Sequence, residues 1–559
     1  MQFYMDALPG TIARPRERLL VALAGVALAI VVTWPLTAGI GHLGRTIGAD
    51  GQLGIWNVAW VARTIVVDPL DVFDANIFYP HRRTLAYSEA NLFAGALAVP
   101  VYWATRNPYA AHNVAALFSI ASAFVCAYAL LRYLTRDPRA SAIGAVLYAC
   151  CPYVTSHSSH IQLLMTGGLP LALLRLHRLA DAPSTRRGVW LGLALAAQAL
   201  ACAYYGIFAG LMVGYATLVI AALRGSWRSG AYWTAIAVAA VTSVACVLPF
   251  FVPYLRVQEE SGFHRTLDDA VRWAANPQSY LASPAHAHRW LLAIASRFER
   301  FTEPLFPGIL ALVFGAAGSA IAVRRALDSD ARAREIAVVY GSLGVLAVWA
   351  SLGPHAGLYR VLYEVPLFAF LRAPARFGIV VVLALAAFAS VAMADLFARA
   401  PERRRTALAW ALAAVAIGEL NVLPFPWERA PDTPAAYAVL AKLPRGPVAE
   451  FPFYGERIAF PLHAQYMLFS TAHWMPLVNG YSDVFPADFR AAAPLLASFP
   501  STDAFAAMAK RRVRYLTIHW DMYGPRQGEI RERLVPFARH LRMLADDAQM
   551  TLYEVVSFP

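Results

Sequence analysis

Apolar residues gather into eleven runs, each close to the roughly 20 residues that cross a bilayer as a helix. They lie near 19–40, 111–131, 139–155, 164–180, 188–204, 206–223, 231–253, 306–323, 336–352, 376–398 and 406–424. A twelfth stretch, NLFAGALAVPVYWAT at 91–105, is too short to cross and is interrupted by Pro100. Counting it as a span would place the basic string RYLTRDPR outside, so it reads as an interfacial or re-entrant helix on the outer face. The mean hydropathy is +0.48, and 15% charged residues over 559 positions cannot cover a soluble surface of that size. The pattern therefore predicts a polytopic α-helical membrane protein of about eleven transmembrane helices.

The arginines set the expected orientation, because short loops rich in Arg or Lys stay on the cytoplasmic side. With the N-terminus inside, every second loop is basic, from Arg14, Arg16 and Arg18 to Arg399, Arg403, Arg404 and Arg405. These inner segments hold twenty arginines against nine acids, so +11 of the formal net charge of +13 lies inside. The positive balance is a topology signal, and no nucleic-acid partner is needed to explain it. An odd number of spans puts the C-terminus outside. The five cysteines (Cys126, Cys150, Cys151, Cys202 and Cys246) fall within apolar runs and suggest no disulfide framework. No cleavable signal peptide is expected, since the first run is long enough to span and lacks a small-residue cleavage pattern.

Two regions follow: a transmembrane domain over 1–424, with long outer loops at 41–110 and 254–305, and an extracytoplasmic domain over 425–559. Within the latter, PVAEFPF (447–453), VRYLTIHW (513–520) and MTLYEV (550–555) read as strands, being rich in β-branched and aromatic residues. The segments 487–498, 502–511 and 525–541 carry helical spacing of apolar positions. Alternating strands and helices predict a small α/β layer.

Candidate chemistry concentrates on the outer side. Asp50, in IGADGQ, lies just beyond the first run between Gly48 and Gly51. It could act as a general base on an acceptor hydroxyl, as a metal ligand, or simply as a loop acid or cap of a helix over 53–66. Asp68, Asp71 and Asp74 read as turn chemistry, whereas Tyr87 and Glu89 lie just ahead of the interfacial helix and are candidates for substrate binding. After the third run, His157, His160 and Gln162 place titratable and hydrogen-bonding groups at membrane depth, where polar groups are costly without a role. The alternative is a pair of histidines satisfied by backbone carbonyls at a helix end. His286 and His288 read as solvated loop residues rather than a metal site. Arg372 and Arg376, in LFAFLRAPARFG, sit on the outer side against the charge rule. They suit a phosphate at the lipid surface, or snorkel to headgroups.

An inside N-terminus, a long first outer loop with an acid beyond the first span, an interfacial helix, a polar cluster after the third span and an outer C-terminal domain together resemble the GT-C-fold membrane glycosyltransferases. These include the protein mannosyltransferases and the aminoarabinose transferases of lipid A. The resemblance covers residues 15–425 in topology, and the strings DANIFYPHRRTLAYSE and FLRAPARFG resemble bacterial membrane proteins grouped with these enzymes. It implies a glycosyltransferase of the bacterial cytoplasmic membrane that moves a sugar from a polyprenyl-phosphate donor to a cell-envelope acceptor. Asp50 matches the family's first-loop catalytic acid. His157, His160 and Gln162 stand where many relatives carry a second acid, and Arg372 and Arg376 match groups that hold the lipid-linked phosphate. The acid often paired with the first-loop carboxylate is replaced by Gly51. No cofactor is implied for certain, and a divalent metal stays open. The competing expectation is a non-catalytic scaffold or a lipid or polysaccharide transport protein, although no paired repeat points to transport.

Overall fold

The computed structural model describes residues 15–46, 48–297, 303–365, 368 and 370–559. The chain divides into two compact units. The first comprises Met1–Ala38, Ala116–Phe250 and His264–Phe425, and the second Gly39–Ala115, Phe251–Phe263 and Pro426–Pro559.

Each of the eleven apolar runs carries helix. Among the described residues, six helices are long and apolar enough to cross a membrane: Pro108–Thr135, Ala203–Arg224, Gly230–Ser261, Ile309–Leu327, Ala331–Ser351 and Pro374–Arg399. The other runs are shorter or more polar. The third is cut where Pro138–Ala149 ends at Cys150 and a second helix, Pro152–Ser156, begins at a proline. Such a break inside an apolar layer requires protein around it, since lipid cannot satisfy the freed backbone groups. Residues 149–154 are accordingly buried. Outward-facing Val241, Val244, Val313 and Val345 leave more than half of their surfaces uncovered, as expected where lipid replaces water. This is a multi-pass membrane protein.

Small residues bring the helices of the first unit together. A Cβ on Gly318 would stand 1.8 Å from the carbonyl oxygen of Phe388, and one on Gly144 would stand 2.1 Å from Ser390 Oγ. Helices Ile309–Leu327 and Pro138–Ala149 therefore approach Gly378–Arg399 at backbone distance, the geometry that association in lipid favours. His288 corrects the sequence reading, because it is fully buried rather than solvated. Its Nε2 lies 3.0 Å from Glu419 Oε1 and its Nδ1 2.8 Å from Ser283 Oγ. Glu419 also accepts from the backbone amides of Ile309 and Leu310 at the N-terminus of their helix, an arrangement that satisfies orphan donors.

In the second unit, helix Ala49–Val67 packs on helix Leu92–Thr105, the apolar stretch read as interfacial. Gly95 permits this: a Cβ there would meet Val61 at 2.3 Å. Strand β1 (Leu43–Gly44) pairs antiparallel with β2 (Glu428–Arg429). The larger sheet contains β3 (Val448–Phe451), β4 (Tyr515–His519), β5 (Leu541–Asp546) and β6 (Met550–Val555), in the order β3-β4-β6-β5. Strands β3 and β4 run parallel, and the remaining pairs are antiparallel. The three expected strands and the helices Ala487–Ala497 and Thr502–Lys510 are present. The helix expected over 525–541 stops at Leu534 and gives way to a 3-10 segment, Val535–His540, before β5 begins. Pro536 cannot donate to a continuing helix.

First-loop residues are fastened to the C-terminal residues by backbone pairing. Leu477 N donates to Asn76 O, Tyr79 N to Leu477 O, and Phe78 N to Asn479 O, at 2.8–3.1 Å. The Asn76 side chain accepts from Trp56 Nε1 at 3.2 Å and donates to Ser470 Oγ and Met475 O. Behind this seam, buried Glu450 accepts from Tyr437 Oη and Thr517 Oγ1 and lies 2.7 Å from His519 Nε2. Burial would raise the Glu450 carboxyl, but His519 and Thr517 bring it below the usual range. Burial depresses His463 and His473 to about 4.

Asn76→Ala should destabilise the protein by about 3 kcal/mol, because it leaves a buried indole N–H and a buried carbonyl unpaired. Urea unfolding in detergent, followed by tryptophan fluorescence, measures this loss. The buried histidines predict a pH effect of definite sign. Unfolded histidine titrates near about 6.5, so between that value and about 4 the unfolded state binds more protons. Melting temperature should fall as pH drops through this window, and His463→Gln should flatten the dependence.

Candidate functional site

Asp50 occupies the first turn of helix Ala49–Val67, whose N-cap is Gly48. Gly48 has φ 105°, a conformation that glycine adopts without strain. Gly51 is required for space, since a Cβ would fall 1.7 Å from Arg45 O. The two glycines flanking the acid thus set the chain path into the helix. Asp50 is exposed and stands at the positive end of the helix dipole, where a carboxylate is favoured. Tyr481 Oη donates to Asp50 Oδ1 at 3.1 Å. One helical face lower, Asn57 Nδ2 donates to Glu89 O at 2.9 Å. The neighbouring Ser88 Oγ donates to Asp483 Oδ2 at 3.1 Å. Glu89 is half-buried and Tyr87 buried, with the Tyr87 ring 5.7 Å from that of Phe78. Asp74 acts as a turn acid, accepting from Arg82 Nε at 2.6 Å and from the amide of Arg83.

The first unit holds the imidazole and guanidinium groups. His157 is buried at the end of helix Pro152–Ser156, with Nδ1 2.7 Å from Tyr153 O and Nε2 2.8 Å from Glu303 Oε2. His160 is half-buried, its ring centroid 6.3 Å from that of His157 and its Nδ1 3.1 Å from Ser159 Oγ. Gln162 is half-buried in the short helix Ile161–Leu164. The segment bearing Glu303 is pinned by Leu305, whose amide donates to Ser279 O at 2.8 Å and whose side chain fills the space above Gly378. Burial raises the Glu303 carboxyl, but the opposing His157, together with Arg376 and His160, brings it net below its ordinary value.

Tyr204 joins the two arginines. Its hydroxyl accepts from the amide of Arg372 at 2.9 Å, and its ring centroid lies 4.4 Å from the Arg376 guanidinium carbon. Arg372 lies 5.9 Å from the Trp273 ring. Pro374 opens the turn Pro374–Phe377, and Phe377 stacks on Phe208 at 3.9 Å, which fixes the turn that bears Arg376. The Nε of Arg376 is buried and finds no hydrogen-bond partner among the described residues. A guanidinium with an unused buried donor is suited to an anion.

The predicted site residues therefore form two sets. Asp50, Tyr87 and Glu89 belong to the second unit, and His157, His160, Gln162, Arg372 and Arg376 to the first. Sequence reasoning missed Glu303, Tyr204, Tyr481 and Asp483. Glu303 occurs between apolar runs with no recognisable motif, and the available signal was an acid in TEPLFPG just ahead of an apolar run. Among the described residues, no three His, Cys, Asp or Glu side chains stand together as metal ligands.

The chain has the GT-C fold of membrane glycosyltransferases. Solved structures of that fold superpose on the chain. The oligosaccharyltransferase AglB from Archaeoglobus fulgidus, in complex with an inhibitory peptide and a dolichol-phosphate, aligns at TM-score 0.50 with 14% identity over 96% of this chain and 74% of that one. The arabinofuranosyltransferase AftD from Mycobacteria aligns at TM-score 0.56 and 13% identity over 98% of this chain but 42% of its own. ArnT from Cupriavidus metallidurans, bound to undecaprenyl phosphate, aligns at TM-score 0.45 and 15% identity over 95% of this chain and 97% of that one. No family model and no curated protein sequence matches the chain. The likeness to AglB and AftD establishes the fold.

The His157–Glu303 pair predicts a second pH effect. A carboxyl depressed in the folded state contributes stability that is present above the ordinary value of about 4.3 and lost as pH falls through the folded value. Glu303→Gln should melt below the wild type at neutral pH, and the gap should close on acidification. Paired melting curves across this range measure it.

Proposed function

We propose that the protein is an integral membrane glycosyltransferase that moves a sugar from a polyprenyl-phosphate donor to a cell-envelope acceptor on the extracytoplasmic face. The observation that carries this reading is the unspent buried donor of Arg376, held against Tyr204 beside Arg372 in a chain with the GT-C fold. The dolichol-phosphate in the AglB complex supports a lipid-linked phosphate as the donor class. The exposed carboxylate of Asp50 supports an acceptor arriving from water.

In the proposed reaction the acceptor hydroxyl oxygen attacks the anomeric carbon and the bond from that carbon to the phosphate oxygen breaks. Asp50 takes the hydroxyl proton. The polyprenyl phosphate departs as an anion, whose growing charge Arg372 and Arg376 stabilise. A single displacement of this kind inverts the anomeric centre and needs one base. His157, braced by Glu303, with His160 and Gln162, would orient the sugar, while Tyr87 and Glu89 would shape the acceptor side. Membrane lipids surround the spans and hold the prenyl chain. In this reading the N-terminus is cytoplasmic, the C-terminal residues face outward, and the membrane is the bacterial inner one.

The purified full-length protein in lipid nanodiscs, given synthetic undecaprenyl-phosphate hexose and pentose probes, should release undecaprenyl phosphate. Asp50→Asn should lower kcat by about 10²–10⁴-fold, the usual worth of a general base. Arg376→Ala should raise KM for the probe. Turnover by Asp50→Asn at the wild-type rate would instead favour a non-catalytic scaffold or transport protein.

A further inference from the structure

Tyr481 is a residue of the C-terminal sequence, yet its hydroxyl donates to the Asp50 carboxylate at the start of the first outer loop helix. The segment that presents it is held on every side. The amide of Tyr481 donates to Met467 Sδ at 3.2 Å, and the amide of Val484 donates to Tyr87 O at 3.2 Å. Gly480 leaves just enough room for the Phe78 ring, which a Cβ would meet at 2.8 Å. Phe485 packs at a tilt against Phe460 with centroids 4.9 Å apart and meets Phe78 edge-on at 5.9 Å. Two residues past Tyr481, Asp483 accepts from Ser88, the neighbour of Glu89. A phenol carried on so constrained a backbone loses little further entropy in fixing the carboxylate plane.

We propose that Tyr481 is a positioning residue for Asp50, so that the C-terminal sequence is part of the catalytic apparatus rather than an appended binding module. The inference rests on the transferase reading of Asp50. The phenol keeps its own proton: it donates a hydrogen bond to Oδ1, while the acceptor's proton passes to the carboxylate as the acceptor oxygen bonds to the anomeric carbon. Removing the hydroxyl leaves the acid present but without this hydrogen bond.

The test uses the full-length protein in nanodiscs with the undecaprenyl-phosphate probes, comparing wild type, Tyr481→Phe, Asp50→Asn and the double variant. Tyr481→Phe should lower kcat about tenfold, the order expected for a lost hydrogen bond to a charged group, with KM for the donor unchanged. In the double variant the loss should be no greater than in Asp50→Asn alone, because coupled residues are not additive. Incorporating 3-fluorotyrosine at 481, which restores the hydroxyl, should restore kcat and thereby separate positioning from a general folding defect. Wild-type kcat in Tyr481→Phe, or full additivity with Asp50→Asn, overturns the inference while leaving the transferase reading intact. No turnover by the wild type, or unimpaired turnover by Asp50→Asn, overturns that reading and this inference with it.

Discussion

The second unit depends on a requirement that one of its segments cannot meet alone. Residues 69–91 contain only two short 3-10 segments, and a buried backbone without a ladder must find partners elsewhere. Some of those partners come from helix Ala49–Val67, and those around Asn76 come from Pro426–Pro559. Asn76 lies at the centre, 4% exposed, with its amide dividing donors and acceptors among Trp56, Ser470 and Met475. Its backbone carbonyl accepts from Leu477, so main chain and side chain are both committed there. Because Trp56 stands on the helix that begins with Asp50, the same hydrogen bond that satisfies the loop also sets the helix. The path of Asp50 is therefore fixed by residues at the opposite end of the sequence.

The buried ionisable groups obey a parallel rule. His157 faces Glu303, His288 faces Glu419, and His519 faces Glu450. In each pair an imidazole gives a buried carboxylate a donor, without which desolvation would drive the acid neutral. Arg376 departs from this pattern. Its ring contact with Tyr204 balances part of the charge but uses no N–H of the guanidinium, and its Nε is left over. Arg376 shares such a leftover buried nitrogen with Arg18, Arg45 and Arg83, and what sets it apart is its place against Tyr204 and beside Arg372, a pairing of guanidiniums suited to an anion.

Legibility in the sequence followed the range of the interaction that set each feature. The helices were readable because their apolar content is local, and so were β3, β4 and β6, whose β-branched and aromatic residues are consecutive. Strand β5, LRMLAD, was hidden because its residues favour helix and its burial does not alternate cleanly, as suits an edge strand that gains its order from β6. The break at Pro152 was present as a residue, but hydropathy averaged over about 20 positions conceals it. Asp50, His157, Arg372 and Arg376 could be singled out because each is polar where its surroundings are not. Glu303, Tyr204 and Tyr481 could not, since a phenol or an outer-loop acid is unremarkable until the chain brings it to its partner.

The two sets of polar groups also differ in their relation to water, and that difference bears on what each can do. Asp50 is exposed at a helix N-terminus and accepts a hydrogen bond from the Tyr481 hydroxyl. A base in that setting exchanges its proton readily with solvent. His157 and Glu303 are almost fully enclosed, at 7% and 9% of side-chain exposure, and a proton shared there cannot be passed to water without a path. Enclosed pairs of this kind hold geometry better than they transfer protons, because any change in their charge must be paid in desolvation. The division suits the exposed carboxylate to exchanging a proton with water and the buried pair to holding its own geometry.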